Sequence, residues 1–313
     1  MTAVSNVHKV LVLVGPTAVG KTALSLLVAE QVGAEIVSAD SRQVYCHMDI
    51  GTAKPTPEER RRVPHHFIDV RSPADYYSAG EYGREARACI EKLLADGRPV
   101  MIVGGSGFYL HALIDGLFAP PLSDPQIKEL WRRRIAEEGK EAVFDFLRRI
   151  DPMTAARLHC NDTQRVVRAL EVYSLTGRPI SAWQKGEEEP ASFPTFWIGL
   201  TRSREQLYKR IEQRVDEMIA AGLVEEAESL LQMGFSPDLN SLRTVGYQEA
   251  FAFLAGKMSR EEMIRQIKLE TRRYAKRQLT WFRRDDRILW IDLDQRETEE
   301  AAQEILQIWR NEP

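Results

Sequence analysis

Three observations predict an α/β fold: a parallel sheet with helices on both faces, interrupted by a helical insertion. Short apolar, β-branched runs alternate with amphipathic helical stretches, and strands apolar on both faces belong in a sheet covered on both faces. The first run leads into a glycine-rich turn, Gly15-Pro16-Thr17-Ala18-Val19-Gly20-Lys21-Thr22, that opens a helix. About ninety residues, mostly of helical pattern, then separate the fourth run from the fifth.

The runs are "KVLVLVG" (9–15), "AEIVSA" (34–39), "HFIDV" (66–70), "PVMIVGG" (99–105), "TFWIGLT" (195–201) and "RILWIDLD" (287–294). "TALSLLVAEQVG" reads as an amphipathic helix closed by Gly33. After the Pro-rich break "LFAPPLSDP" (117–125), the chain reads as helices broken at Gly139, Asp151-Pro152, Asn161-Asp162 and Gly177. "KGEEEPASFP" then returns it to the sheet. The expected organisation is a core α/β domain over 1–122 and 191–313, with a helical insertion domain over 123–190.

The 313 residues suffice for two domains, and 43% hydrophobic with 28% charged residues is an ordinary globular composition. No apolar run approaches the roughly 20 residues of a membrane-spanning helix. The N-terminal "MTAVSNVHKV" lacks the layout of a secretion signal. A cytoplasmic monomer without membrane partners is expected. Cys46, Cys89 and Cys160 are scattered, which argues against a disulfide framework or a zinc module. Net charge is −3, yet residues 265–284 hold eight Lys or Arg against one acid, Glu270. That stretch suits a polyanion-facing surface.

Residues 15–22 match GxxxxGK[ST] between a strand and a helix, the context that gives the pattern meaning. Glycines let backbone N–H groups close on anionic oxygens, and the helix N-terminus adds partial positive charge. Lys21 supplies a full charge, and the Thr22 hydroxyl is the expected Mg²⁺ ligand. A P-loop NTPase-like sheet follows. The loop predicts a diphosphate or triphosphate and leaves open what is attached to it. Asp40, ending "EIVSAD", reads as a carboxylate holding Mg²⁺ through water, as one aimed at an acceptor, or as a turn cap. The turn "VGGSG" (103–107) places the Ser106 hydroxyl at the same sheet edge. On residues alone, a P-loop small-molecule kinase using ATP remains open.

"GPTAVGKT", "SADSRQVYCHMDIGTAKP", "PHHFIDV", "VGGSGFYLHALIDGL", "NDTQRVVRALEVY", "RTVGYQEAF" and "KRQLTWFRRD" occur in this order. Together they resemble the bacterial tRNA dimethylallyltransferases, or tRNA isopentenyltransferases, from end to end. The resemblance implies transfer of the dimethylallyl group from dimethylallyl diphosphate to the exocyclic amine of the adenine 3′ of the anticodon. The loop would then hold a leaving diphosphate, and no ATP would be consumed. The resemblance makes Asp40 the general base. It sets Thr17, Lys21, Ser106 and an arginine, for which we favour Arg214 over Arg210, about the diphosphate and the RNA. It lines the tRNA path with Asp40, Ser41, Arg42, Gln43, Ser106, Lys128, Gln164, Arg165, Val166, Val167 and Arg168.

Each assignment has a plainer counterpart. Residues 164–168 also fit an amphipathic helix with Val166, Val167 and Leu170 toward a core. Lys268, Arg272 and Lys276 recur every four residues, as phosphate contacts or as a solvated face. Trp281 and Phe282 read as core residues, and His65 and His66 as structural or hinge residues rather than metal ligands.

Overall fold

The computed structural model describes residues 9–117, 123–183 and 190–311. Residues 118–122, within the Pro-rich break, and 184–189, at the start of the return segment, lie outside them. The chain divides into two compact units: Met1–Ile114 with Ala191–Pro313, and Asp115–Pro190.

The first unit is built on six parallel strands in the order β3-β2-β4-β1-β5-β6. They are β1 (Val10–Val14), β2 (Glu35–Ala39), β3 (His65–His66), β4 (Val100–Gly104), β5 (Thr195–Thr201) and β6 (Ile288–Asp292). All five residues of β1 and of β2 are buried, as continuous apolar runs require. The apolar run expected over 66–70 yields only a two-residue strand. Phe67 and Asp69 adopt left-handed backbone (φ 63° and 56°), which ends the ladder. The turned chain delivers the Asp69 carboxylate to Lys54 and Arg60.

Helix α1 (Lys21–Val32) follows β1, α2 (Pro57–Arg62) precedes β3, and α3 (Ala79–Ala95) with α4 (Gly107–Ile114) flank β4. Gly33, left-handed at φ 66°, closes α1 as expected and donates its N–H to Ala29 O. Right-handed crossovers outward from β1 to β3 and back to β4 put α1 and α3 on opposite faces.

The second unit contains α5 (Pro125–Glu138), α6 (Lys140–Ile150), α7 (Pro152–Ala155), α8 (Thr163–Thr176) and α9 (Ile180–Trp183). Its breaks fall at the four positions the glycines, Pro152 and Asn161-Asp162 mark. Its core gathers Trp131, Phe144, Leu147, Val166 and Leu170. Back in the first unit come α10 (Arg204–Ala220), α11 (Leu223–Gln232), α12 (Tyr247–Leu254), α13 (Arg260–Phe282) and, after β6, α14 (Thr298–Asn311). The α14 residues Ala301, Ile305 and Trp309 share a core with α1 and the sheet.

Candidate active site

Parallel strands end at one edge, so the loops after β1, β2 and β4 share it. β1 and β4 are hydrogen-bonded neighbours, with Val14 opposite Gly104, yet the chain leaves them in opposite directions. That reversal opens a crevice beyond the strand ends, where ligands of open α/β sheets bind.

The loop after β1 forms one wall. Gly15 (φ 148°) and Gly20 (φ 119°) take backbone that L side chains rarely adopt, and a β-carbon on Gly15 would lie 2.8 Å from Leu200 O. Lys21 Nζ donates to Gly15 O and Pro16 O, both at 2.9 Å, and so folds back over its own loop. Three arginines hold the same loop from outside. Arg202 Nε donates to Val19 O (3.0 Å), Arg210 Nε to Ala18 O (2.8 Å), and Arg214 Nη1 to the Thr17 hydroxyl (3.3 Å). Burial, aided by the Arg214 charge, pulls the Lys21 pKa down to about 7 against the opposing pull of Asp40. Burial and Arg210 likewise lower Arg214. Among the described residues neither cation has a carboxylate within ion-pair reach. Such charge is costly until an anion arrives.

The opposite wall carries a carboxylate and hydroxyls. Asp40 Oδ1 accepts from the N–H groups of Arg42 (2.8 Å) and Gln43 (3.3 Å), so the acid caps its own turn. Its Oδ2 accepts from no described residue. Ser106 Oγ accepts from Ser41 N (3.0 Å) and lies 3.3 Å from Ser41 Oγ, joining the β2 and β4 loops. The Tyr274 phenol is pushed up to about 12 by burial and then by the Asp40 charge. Thr22 Oγ1 has no hydrogen bond among the described residues, which leaves it open to a cation. No group of three or more His, Cys, Asp or Glu that could hold a metal occurs among those residues.

Helix α13 roofs the crevice with Tyr274, Gln278 and Trp281. Gln278 Oε1 accepts from Thr17 N, and its Nε2 donates to Gly105 O, both at 2.9 Å. β-Carbons at Gly105 and Gly107 would overlap Gln278 and the Trp281 indole, which is why the β4 turn needs glycine at both positions. Sequence reasoning passed over Gln278 and Tyr274. Their i, i+4 spacing, continued by Trp281, was the available signal. Trp281 was expected in the core and is instead 45% exposed, while Phe282 is buried as expected. The Trp281 indole lies against Gly107, in space that a β-carbon there would occupy.

The assigned RNA contacts divide. Arg42 Nη1 donates to Asn240 O (2.6 Å) and Ser241 O (3.2 Å), and Gln43 Nε2 to Thr52 O and Ala53 O (both 3.2 Å). Both side chains hold loops of their own unit. In the helical unit, Gln164 and Arg165 are exposed. Val166 and Val167, at 1% and 4% exposure, pack into its core, which corrects their assignment as RNA-facing side chains. Arg168 Nη1 binds Glu171 Oε2 (2.7 Å), and Lys128 Nζ lies 3.7 Å from Glu171 Oε1. Glu171 is fully buried and also accepts from Asp124 N (2.8 Å). Of the basic stretch, Lys268 pairs with Asp216 and Arg272 with Glu212 on α10, while Lys276 is exposed. His66 Nε2 bonds Glu35 Oε2 at 2.6 Å and His65 Nδ1 meets Val63 O, structural roles in both cases.

A phosphate-loop α/β protein with half-buried cations waiting near a carboxylate is, as a class, a diphosphate- or triphosphate-handling enzyme. The chain belongs to the IPP transferase family, whose model matches residues 43–285. It is 46% identical over 304 residues to a tRNA dimethylallyltransferase of Geobacillus thermodenitrificans, covering 97% of this chain and 96% of that one. Among solved structures it resembles the full-length tRNA isopentenylpyrophosphate transferase of Bacillus halodurans (TM-score 0.72, 38% identity, 96% and 95% covered). It also resembles a eukaryotic dimethylallyltransferase captured acting on tRNA (TM-score 0.82, 27% identity, 97% and 80% covered). The chain is a prenyltransferase, and the small-molecule kinase alternative is not favoured. Among the described residues no helix is long and apolar enough to cross a membrane.

Proposed function

We infer that this chain transfers the dimethylallyl group of dimethylallyl diphosphate to the exocyclic amine of the adenine 3′ of the anticodon in tRNA. The observation that carries the reading is the pair of half-buried cations without carboxylate partners among the described residues, Lys21 and Arg214, at a phosphate loop close to Asp40.

As the allylic C–O bond breaks, its electron pair goes to the departing diphosphate. Loop N–H groups, Lys21 and Arg214 stabilise that charge, the kind of preorganised donor set that usually dominates catalysis. Mg²⁺, held by the Thr22 hydroxyl and diphosphate oxygens, would neutralise further charge on the leaving group. The adenine amine attacks the freed allylic carbon and loses a proton to Asp40, whose Oδ2 is open. Such proton transfer contributes roughly 10²–10⁴-fold. A base stacked in an anticodon loop cannot enter this crevice, so it is turned out, at a cost of a few kcal/mol. Exposed Gln164 and Arg165 are the helical unit's candidates for RNA contacts that offset this cost.

Incubation with labelled dimethylallyl diphosphate, Mg²⁺ and unmodified tRNA, followed by nucleoside analysis, tests the reading. Parallel arms with an anticodon stem-loop and with AMP identify the acceptor. Prenylated adenosine in the RNA arms is expected; phosphate transfer from ATP without prenylation overturns the reading. Asp40→Ala is expected to slow single-turnover transfer at least tenfold with tRNA affinity unchanged, and an equal loss of affinity would refute the base role.

A further inference from the structure

We propose that Gln278 is a positioning residue that sets the spacing between the diphosphate cradle and the acceptor side, a role that rests on the function inferred above. Its side chain, 6% exposed, spans the crevice between the two loops at the sheet's reversal point. One end takes the Thr17 N–H and the other donates to Gly105 O, each at 2.9 Å.

What lies at each end gives the bridge its meaning. Thr17 follows Pro16, whose carbonyl holds Lys21, and its hydroxyl receives Arg214, so this end is the leaving-group side. Gly105 precedes Ser106, which binds Ser41 N one residue from Asp40, so the other end is the acceptor side. A carboxamide offers an acceptor and a donor in one plane at any physiological pH, matching one N–H and one C=O. A carboxylate in its place would face Gly105 O with like partial charge. An apolar side chain would orphan the buried Gly105 carbonyl and the half-buried Thr17 N–H. Gly105 has no side chain because one would displace the amide, so loop and amide are mutually fitted. Reacting atoms must meet within about 3–3.5 Å, and a 1 Å error costs on the order of 10²-fold. A bridge two hydrogen bonds long controls displacements of that size.

The test compares wild type with Gln278→Leu and Gln278→Glu. Gln278→Leu is expected to slow single-turnover transfer about 10²-fold, with Kd for tRNA and for inorganic diphosphate within about twofold of wild type. Gln278→Glu is expected to regain rate as pH falls, because a protonated carboxyl again donates to Gly105 O while accepting from Thr17. Amide exchange in Gln278→Leu should accelerate at Thr17 and also at Ser41, across the crevice. A wild-type rate in Gln278→Leu, affinities that fall in step with its rate, or faster exchange at Thr17 alone overturns the proposal. Exchange needs no turnover, so it decides the bridge even if wild type transfers nothing, a result that would refute the functional reading alone.

Discussion

In the sheet unit, Lys21 and Arg214 are half-buried beside a glycine loop and meet only carbonyl and hydroxyl oxygens among the described residues. In the helical unit, Lys128 and Arg168 close on one fully buried carboxylate, Glu171. Both regions hide charge. In the second each cation already has a carboxylate beside it, so that cluster reads as structure. The first is left positive, and Lys21 is pushed toward losing its proton. Unpaired buried charge of one sign marks where a ligand of the other sign belongs. The resemblance-based residue set did not separate these cases, since it placed Lys21, Arg214, Lys128 and Arg168 alike among functional residues.

The sharpest way to break the comparison is to remove the carboxylate. Glu171→Ala removes the buried carboxylate that Lys128 and Arg168 share; both cations are partly exposed, so a loss below the roughly 3–5 kcal/mol of a fully buried pair is expected. Urea unfolding should show that loss while affinity for inorganic diphosphate stays the same. Lys21→Ala should do the reverse. Removing one donor to a developing anion costs about 10²–10³-fold in rate. The melting temperature of the empty protein should not fall, because the deleted ammonium was one that burial disfavoured. A variant that lost stability and kept its rate would make Lys21 a structural residue like Lys128.

The pH dependence of diphosphate binding is the next effect in size. Free Lys21 titrates near 7, far below its unfolded value of 10.5. A bound diphosphate stabilises the ammonium and raises that value. Above about pH 7, binding therefore takes up a proton, and affinity falls by up to roughly tenfold per pH unit. Below pH 7 the group is already protonated and contributes no slope. Calorimetry in buffers of different ionisation enthalpy reads the uptake directly, and Lys21→Ala should abolish its share. Wild-type affinity that rises with pH through this window would remove Lys21 from the cradle.

The sheet and the loop were legible because burial writes them as apolar runs and steric need writes glycine where φ is positive. Gly15, Gly20 and Gly33 are all of the latter kind. β3 was overestimated because Phe67 and Asp69 take left-handed backbone without being glycine. Gln278 was harder to read for another reason. An uncharged residue inside a basic run shows only its helical spacing to Tyr274 and Trp281, and its importance lies in two contacts with Thr17 and Gly105, 261 and 173 residues away. Trp281 was misplaced because an aromatic at helical spacing normally reports a core, whereas here its ring covers a glycine turn. Residues 164–168 show the limit of resemblance, which marks a stretch of chain while helical periodicity decides which side chains turn inward.

That periodicity yields the smallest and most discriminating test. Arg165 is exposed, and its partner in the resemblance-based set, Arg168, is committed to Glu171. A phosphate contact contributes about 0.7–0.9 to the slope of log affinity against log salt. Arg165→Ala should reduce the salt slope of tRNA binding by about that amount, with the unfolding midpoint unchanged. Arg168→Ala should instead lower the unfolding midpoint, because it uncovers a buried acid, and its effect on the salt slope should be the lesser. If the two variants exchanged these behaviours, the distinction between carboxylate-paired and waiting charge would fail in the helical unit. Arg168 would then be the RNA contact and Arg165 only a solvated surface charge.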